Sequence, residues 1–185
     1  SRLTSLGCEV EEVKVDYELT LKELSRSFVG MWCAKYASGY GDLYDQSPEN
    51  FSENISKMIA IGRKLSAVDY KKIELNRTKV WQKTQALLND YDLIISPTLA
   101  TTAFAHHLPG PSEINGKKAG PNDWMMTQIY NMTGHPAASL PIGLTESGLP
   151  VGLQIAANRL ADRLVLQLCQ AYENAFETYI APPIH

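Results

Sequence analysis

The sequence predicts an α/β fold, a mixed sheet covered by helices, and three observations predict it. Short runs rich in Val, Ile, Leu and Ala, at residues 8–15, 93–95, 137–142 and 151–156, are interspersed with long segments of helical apolar spacing. Leu93-Ile-Ile95 has no polar alternation, as expected of a strand covered on both faces. Ser147-Gly148 with Leu149-Pro150 joins the last two runs as a hairpin-type connection.

Taken in order, Ser1-Arg-Leu-Thr-Ser-Leu-Gly7 places Leu3 and Leu6 three apart before a glycine, so it resembles the last turn of a helix begun upstream. In residues 8–15 the apolar positions Cys8, Val10, Val13 and Val15 give the broken alternation of a strand with one irregular step. A helix is expected from 17 to about 36, with Leu21, Leu24, Phe28, Met31 and Trp32 on one face, Gly39-Tyr-Gly41 ending it and residues 42–50 as a polar loop. A second helix, 51–65, carries Ile55, Met58, Ile59 and Leu65. Ser66, with Asp69 three residues on, forms an imperfect capping box that opens a long helix over 67–89.

After the strand at 93–95, closed by Pro97, residues 100–122 are rich in Pro, Gly and polar side chains. That is long for a structureless connection and predicts a functional or covering loop. Asp123 is placed to cap a short helix over 124–132. The last helix, 161–178, turns Leu164, Val165, Leu168, Cys169 and Tyr172 inward, and Pro182-Pro183 ends the structure. So few strands leave a sheet with missing partners and an open face. The expectation is that residues 1–185 are completed by a segment lying upstream.

Composition narrows the function. The hydrophobic content of 44% over 185 residues supports a real core. The net charge is −3 with no basic run or basic–aromatic stripe, so nucleic-acid binding has no electrostatic footprint. No apolar stretch approaches a membrane span, and no signal peptide opens the chain. Cys8, Cys33 and Cys169 are far apart, against a disulfide framework or a zinc site and in keeping with a reducing cytoplasm.

Nucleophiles and bases are present without a recognisable setting. His106-His107 and His135 lack metal-ligand spacing, and no metal or other cofactor is expected. Asp123, His135 and Ser139 could compose a Ser-His-Asp set, but no nucleophile-elbow pattern surrounds the serine. Cys33 beside Trp32, shortly before a Gly-Tyr-Gly break, and Trp124 after the long loop are either core residues or walls of a pocket. Cys8 and Cys169 fit core positions.

Several segments together resemble the amidase signature family. Asn131-Met-Thr-Gly-His-Pro-Ala-Ala-Ser-Leu-Pro-Ile-Gly143 is similar to the family stretch with an Asn, a Gly, Pro-Ala and Ser-x-Pro before its last strands. Gly148-Leu-Pro-Val-Gly-Leu-Gln-Ile155 resembles the strand that follows. Tyr91-Asp-Leu-Ile-Ile-Ser-Pro-Thr98, Ile61-Gly-Arg with Ala67-Val-Asp-Tyr70 and Arg77, and Gly7-Cys-Glu-Val match further family segments in the right order. The physical demands are those of a scaffold: a tight turn at Gly148, close approach at Gly152, and no backbone donor needed at Pro136 and Pro141.

The resemblance implies that residues 1–185 are the C-terminal part of a single amidase domain. It implies a Ser–cis-Ser–Lys triad in a Gly/Ser-rich segment, with the lysine as base and the second serine as nucleophile. No such segment occurs here, and Lys14, Lys22 and Lys35 lack serine-rich surroundings, so no catalytic residue is assigned. Trp32, Cys33 and Trp124 are the expected substrate-contact residues. The expected partners are an N-terminal amidase segment or chain and a small-molecule amide, with a homodimer left open. Val-Gly-Met-Trp-Cys33 replaces the Glu-Ala-Ser-Ser-Asn-type stretch of the tRNA-dependent amidotransferase glutaminase subunit. That substitution favours stand-alone bacterial amidases, a group in which the chain resembles the aminohexanoate cyclic-dimer (nylon-oligomer) hydrolases. The competing expectations are a binding or scaffolding subunit without catalysis and a small independent enzyme built on His135 and Ser139.

Overall fold

The structure is a computed structural model that describes residues 2–177; the expected last residue of the final helix and the Pro182-Pro183 stop lie outside them. In chain order the elements are α1 (Arg2–Ser5), α2 (Leu21–Gln46), a 3-10 turn (Pro48–Asn50), α3 (Glu53–Arg63), α4 (Ala67–Asp90), β1 (Leu93–Pro97), β2 (Glu113–Ile114), β3 (Lys117–Lys118), α5 (Gln128–Thr133), β4 (Ala137–Leu144), β5 (Pro150–Ala157) and α6 (Asp162–Ala175). They form two compact units, Asp16–Gln82 and Ser1–Val15 with Lys83–His185.

The unit Asp16–Gln82 is helical. Thr20 caps α2: its hydroxyl accepts the Glu23 N–H at 3.2 Å while the Glu23 carboxylate accepts the Thr20 N–H at 2.8 Å. Those bonds hold the Glu23 carboxyl below its ordinary pKa, the Thr20 hydroxyl contributing most. The expected stop at Gly39-Tyr-Gly41 does not occur, and α2 runs on to Gln46 through the expected loop. Arg63 of α3 supplies the reason. Its guanidinium donates to the Gly41 carbonyl at 2.9 Å and to both Asp45 carboxylate oxygens at 2.9 and 2.6 Å, tying down the last turns of α2.

The helices of this unit approach through small residues. A Cβ on Gly62 would lie 2.0 Å from the Cys33 carbonyl oxygen and 2.7 Å from the Ala37 Cβ. One on Gly30 would lie 2.5 Å from the Ile73 Cδ1. Asn76 donates to the Ser27 hydroxyl at 3.0 Å, satisfying a buried oxygen. The Ser66–Asp69 capping box forms as expected, with the Asp69 N–H reaching the Ser66 hydroxyl at 3.0 Å and the hydroxyl donating to the carboxylate at 2.6 Å.

The other unit is built on a three-stranded antiparallel sheet in the order β1–β5–β4. Register sets its two faces. Ile95, Ile155 and Ala138 lie abreast on one side; Ser96, Gln154 and Ser139 lie abreast on the next pleat, facing the other way. The apolar side makes the core, where Leu140, Ile155 and Ala157 meet Leu3 of α1 and Val165 and Tyr172 of α6. Cys8 and Cys169 pack at its margin, the positions expected of them. Each fully buried aliphatic side chain there contributes about 1.5–3 kcal/mol.

Two expectations for this unit fail locally. Residues 8–15 make no strand, because among the described residues no ladder partner accepts them; Val10 stays 49% exposed, and the segment is pinned by the Tyr91 hydroxyl donating to Glu11 at 2.8 Å. That bond and the Glu11 charge push the Tyr91 phenol pKa up. The short helix begins at Gln128, not 124, since Asp123 does not cap it. The Asp123 carboxylate accepts the Gly120 N–H at 2.7 Å, the Trp124 carbonyl accepts the Ala100 N–H at 3.1 Å, and Met125 bridges Leu99. That backbone is committed to closing the loop.

Gly62→Ala is expected to cost about 3 kcal/mol, the upper end for overpacking, because backbone rather than a movable side chain meets the new methyl. Urea denaturation measures it; unchanged stability would mean that the α2–α3 approach is wrong.

Candidate functional site

Trp32 and Cys33 lie on adjacent faces of α2. Cys33 is 0% exposed and sits at the α3 crossing; burial pushes its thiol pKa up, so it offers no thiolate at neutral pH. The side expected to face substrate is therefore filled by protein, because Gly62 brings α3 directly onto the Cys33 backbone.

Trp32 is half-buried and belongs to an aromatic row with the i, i+4 spacing of one helix face. Phe28 meets it edge-on at 6.2 Å between ring centroids, and Tyr36 stacks on it at 5.7 Å with the planes 30° apart. Tyr40 follows Tyr36 at 5.8 Å and is 45% exposed. The Lys35 ammonium lies 4.9 Å from the centre of the Trp32 ring. The row extends Trp32 into a planar, partly open surface. Its spacing was visible in the sequence, but of its members only Phe28 and Trp32 stood on the expected helix face.

Trp124 belongs to the sheet-bearing unit and organises the long loop. Its indole N–H donates to the Pro121 carbonyl at 3.0 Å, its ring meets Phe104 edge-on at 5.3 Å, and a Cβ on Gly110 would lie 3.1 Å from its nitrogen. The structure thus gives Trp32 and Cys33 one setting, α2, and Trp124 another, the loop before α5.

Near this loop, at the end of β1, a small hydroxyl cluster occupies the polar side of the sheet. The Thr98 and Ser139 hydroxyls are 2.8 Å apart, and a Cβ on Gly152 would lie 2.7 Å from each. Gly152 therefore lets two side chains, rather than a backbone, close over β5. Gln154, buried, donates to the Ser96 hydroxyl at 3.2 Å.

The Asp123–His135–Ser139 set does not assemble. His135 is buried with Nδ1 2.9 Å from the Thr133 hydroxyl, Ser139 pairs with Thr98, and Asp123 pairs with Gly120. Desolvation first, and the Arg159 charge second, lower the His135 pKa and hold the ring neutral at neutral pH. Lys14 and Lys22 are exposed, and Lys35 is engaged with Trp32. Among the described residues no group of His, Cys, Asp and Glu could hold a metal ion, and no helix is long and apolar enough to cross a membrane.

Comparison with known proteins places this geometry. An acylamidase of Rhodococcus erythropolis is 34% identical over 148 residues, covering 78% of this chain and 31% of that protein. A glutamyl-tRNA(Gln) amidotransferase subunit of Synechococcus elongatus is 33% identical over 180 residues, 92% of this chain and 33% of that protein. The chain thus spans about a third of the length of these curated relatives. A crystal structure of a bacterial aryl acylamidase of the amidase signature family superposes with a TM-score of 0.82 at 30% identity, over 94% of this chain and 38% of that one. The 6-aminohexanoate cyclic dimer hydrolase superposes with a TM-score of 0.73 over 94% of this chain and 39% of that one; at 20% identity it shares the fold. The Amidase family model matches residues 1–166, and the chain belongs to that family.

Proposed function

We propose that this chain is the C-terminal part of an amide hydrolase whose Ser–cis-Ser–Lys triad comes from an N-terminal segment or chain. The observation that carries this is the family match over residues 1–166, together with the separate engagements of the candidate set: Ser139 with Thr98, His135 with Thr133 and Asp123 with Gly120. The proposed reaction is acyl transfer to water. A serine oxygen adds to the amide carbon as its proton passes to the base through the bridging serine. The amine leaves with a proton, an acyl-serine remains, and water cleaves that ester to the acid and free serine.

For the substrate we propose small acyl amides with an aromatic portion, in line with the acylamidase and aryl acylamidase relatives. The aromatic row of α2 is chemically suited to a planar group. On α2 the proposed contact is Trp32, with Cys33 proposed to support it by packing; on the loop before α5 the proposed contact is Trp124. Linear or cyclic aliphatic amides, the nylon-oligomer type included, draw on a likeness of fold alone. The free cysteines support a cytoplasmic location. A second reading, a glutaminase subunit of a tRNA-dependent amidotransferase, is favoured by the 33% identity to the amidotransferase of Synechococcus elongatus; the Val-Gly-Met-Trp-Cys33 stretch counts against it.

Two outcomes test this. In the intact protein, a fluorophosphonate should block 4-nitroacetanilide hydrolysis and modify a serine outside these residues, while Ser139→Ala keeps its rate within a few-fold; a modified Ser139, or turnover of glutamine alone, contradicts the reading. Trp32→Ala should raise KM about tenfold with kcat little changed, as loss of one stacking contact requires. Unchanged steady-state kinetics would remove Trp32 from the site.

A further inference from the structure

Residues 100–124 form an excursion between Leu99, two residues beyond β1, and Met125, and these two residues bridge each other in antiparallel fashion. The Ala100 N–H donates to the Trp124 carbonyl at 3.1 Å, so the excursion is closed at its root. Within it, the Ala119 N–H reaches the Ser112 carbonyl at 2.9 Å and the Leu108 N–H reaches the Ala105 carbonyl at 2.9 Å. β2 and β3 pair across Asn115-Gly116, whose φ values of 51° and 75° make the tight turn that such a two-residue hairpin needs. The Gly120 N–H closes on Asp123, and Phe104 and Gly110 pack on Trp124. Each of these contacts joins one part of the excursion to another, and residues 105–109 and 115–118 are exposed.

A segment with its own small core, its own hairpin and a two-residue root can open without disturbing the sheet it leaves. We propose that residues 100–124 form a flap that opens cooperatively, as one unit from the Leu99–Met125 bridge, while the sheet stays folded, with the contacts of Trp124 as the core that holds it closed. The flap springs from Leu99, one residue beyond Thr98, whose hydroxyl pairs with that of the exposed Ser139. A ligand that touches Trp124 therefore favours the closed flap; this coupling rests on the proposed function, whereas the flap itself does not.

Hydrogen exchange of the intact protein, read by mass spectrometry, tests both. In the free protein the flap amides, including Ala119, should exchange together and at least about tenfold faster than those of β1 and β5. Gly110→Val, which crowds Trp124 and Pro121, should speed the flap further and leave the sheet unchanged. Equal protection of flap and sheet, or equal acceleration of both by Gly110→Val, overturns the flap. Methanesulfonanilide, a non-hydrolysable anilide mimic, should slow flap exchange. Calorimetric binding without slowing overturns the coupling; no binding removes the amide-site reading, and the coupling with it, while the free-protein result stands.

Discussion

β5 is the strand on which the sheet-bearing unit depends. It is hydrogen-bonded on both sides, to β1 and to β4, and its alternation serves two purposes at once. Ile155 and Ala157 point into the core under α1 and α6, while Gln154 and the open space at Gly152 face the other way. A one-residue slip would send Gln154 into the apolar core and Ile155 onto the polar side, so the pleat fixes the register. The Gly148 turn and the irregularity at Gly143 then bring β4 into line. The hydroxyl pair of Thr98 and Ser139 exists because Gly152 has no side chain between them.

In the helical unit the corresponding constraint is close backbone approach. Gly62 lets α3 press on the Cys33 carbonyl, and Arg63, one residue on, spans to Gly41 and Asp45 of α2. This packing buries Cys33 and leaves the Phe28–Trp32–Tyr36–Tyr40 row on another part of the α2 surface. The division between a buried thiol and a partly open aromatic row is a consequence of which side of α2 the small residues occupy. In the proposed function the row makes the contact and the thiol supports it by packing.

The sequence carried the elements whose signals are local. Ser66–Asp69 capped α4, the Gly148 turn joined β4 to β5, and Leu164 to Tyr172 gave the inward face of α6. It misplaced boundaries decided by distant partners. Gly39 and Gly41 look like a stop, yet Arg63 from α3 holds the helix past them. Val10 and Val13 have strand chemistry but no ladder among the described residues. Asp123 looks like a cap and is spent on Gly120. Of the candidate site, Trp32, Cys33 and Trp124 were visible as residue types, but the burial of Cys33 and the packing of Trp124 within its loop depend on Gly62 and Gly110, whose partners no periodicity reveals. The family was legible because its motifs are scaffold motifs, and those lie in this chain.

In the proposed function labour is divided: these residues would supply scaffold and contact surfaces, and a lysine with two serines elsewhere would supply the chemistry. Mass spectrometry of the undissociated, amide-hydrolysing protein, repeated after denaturation, tests that directly. The expected result is further polypeptide, in the same chain or released on denaturation, with a Gly/Ser-rich segment bearing that triad. A single species with the mass of these 185 residues that still hydrolyses amides would contradict it.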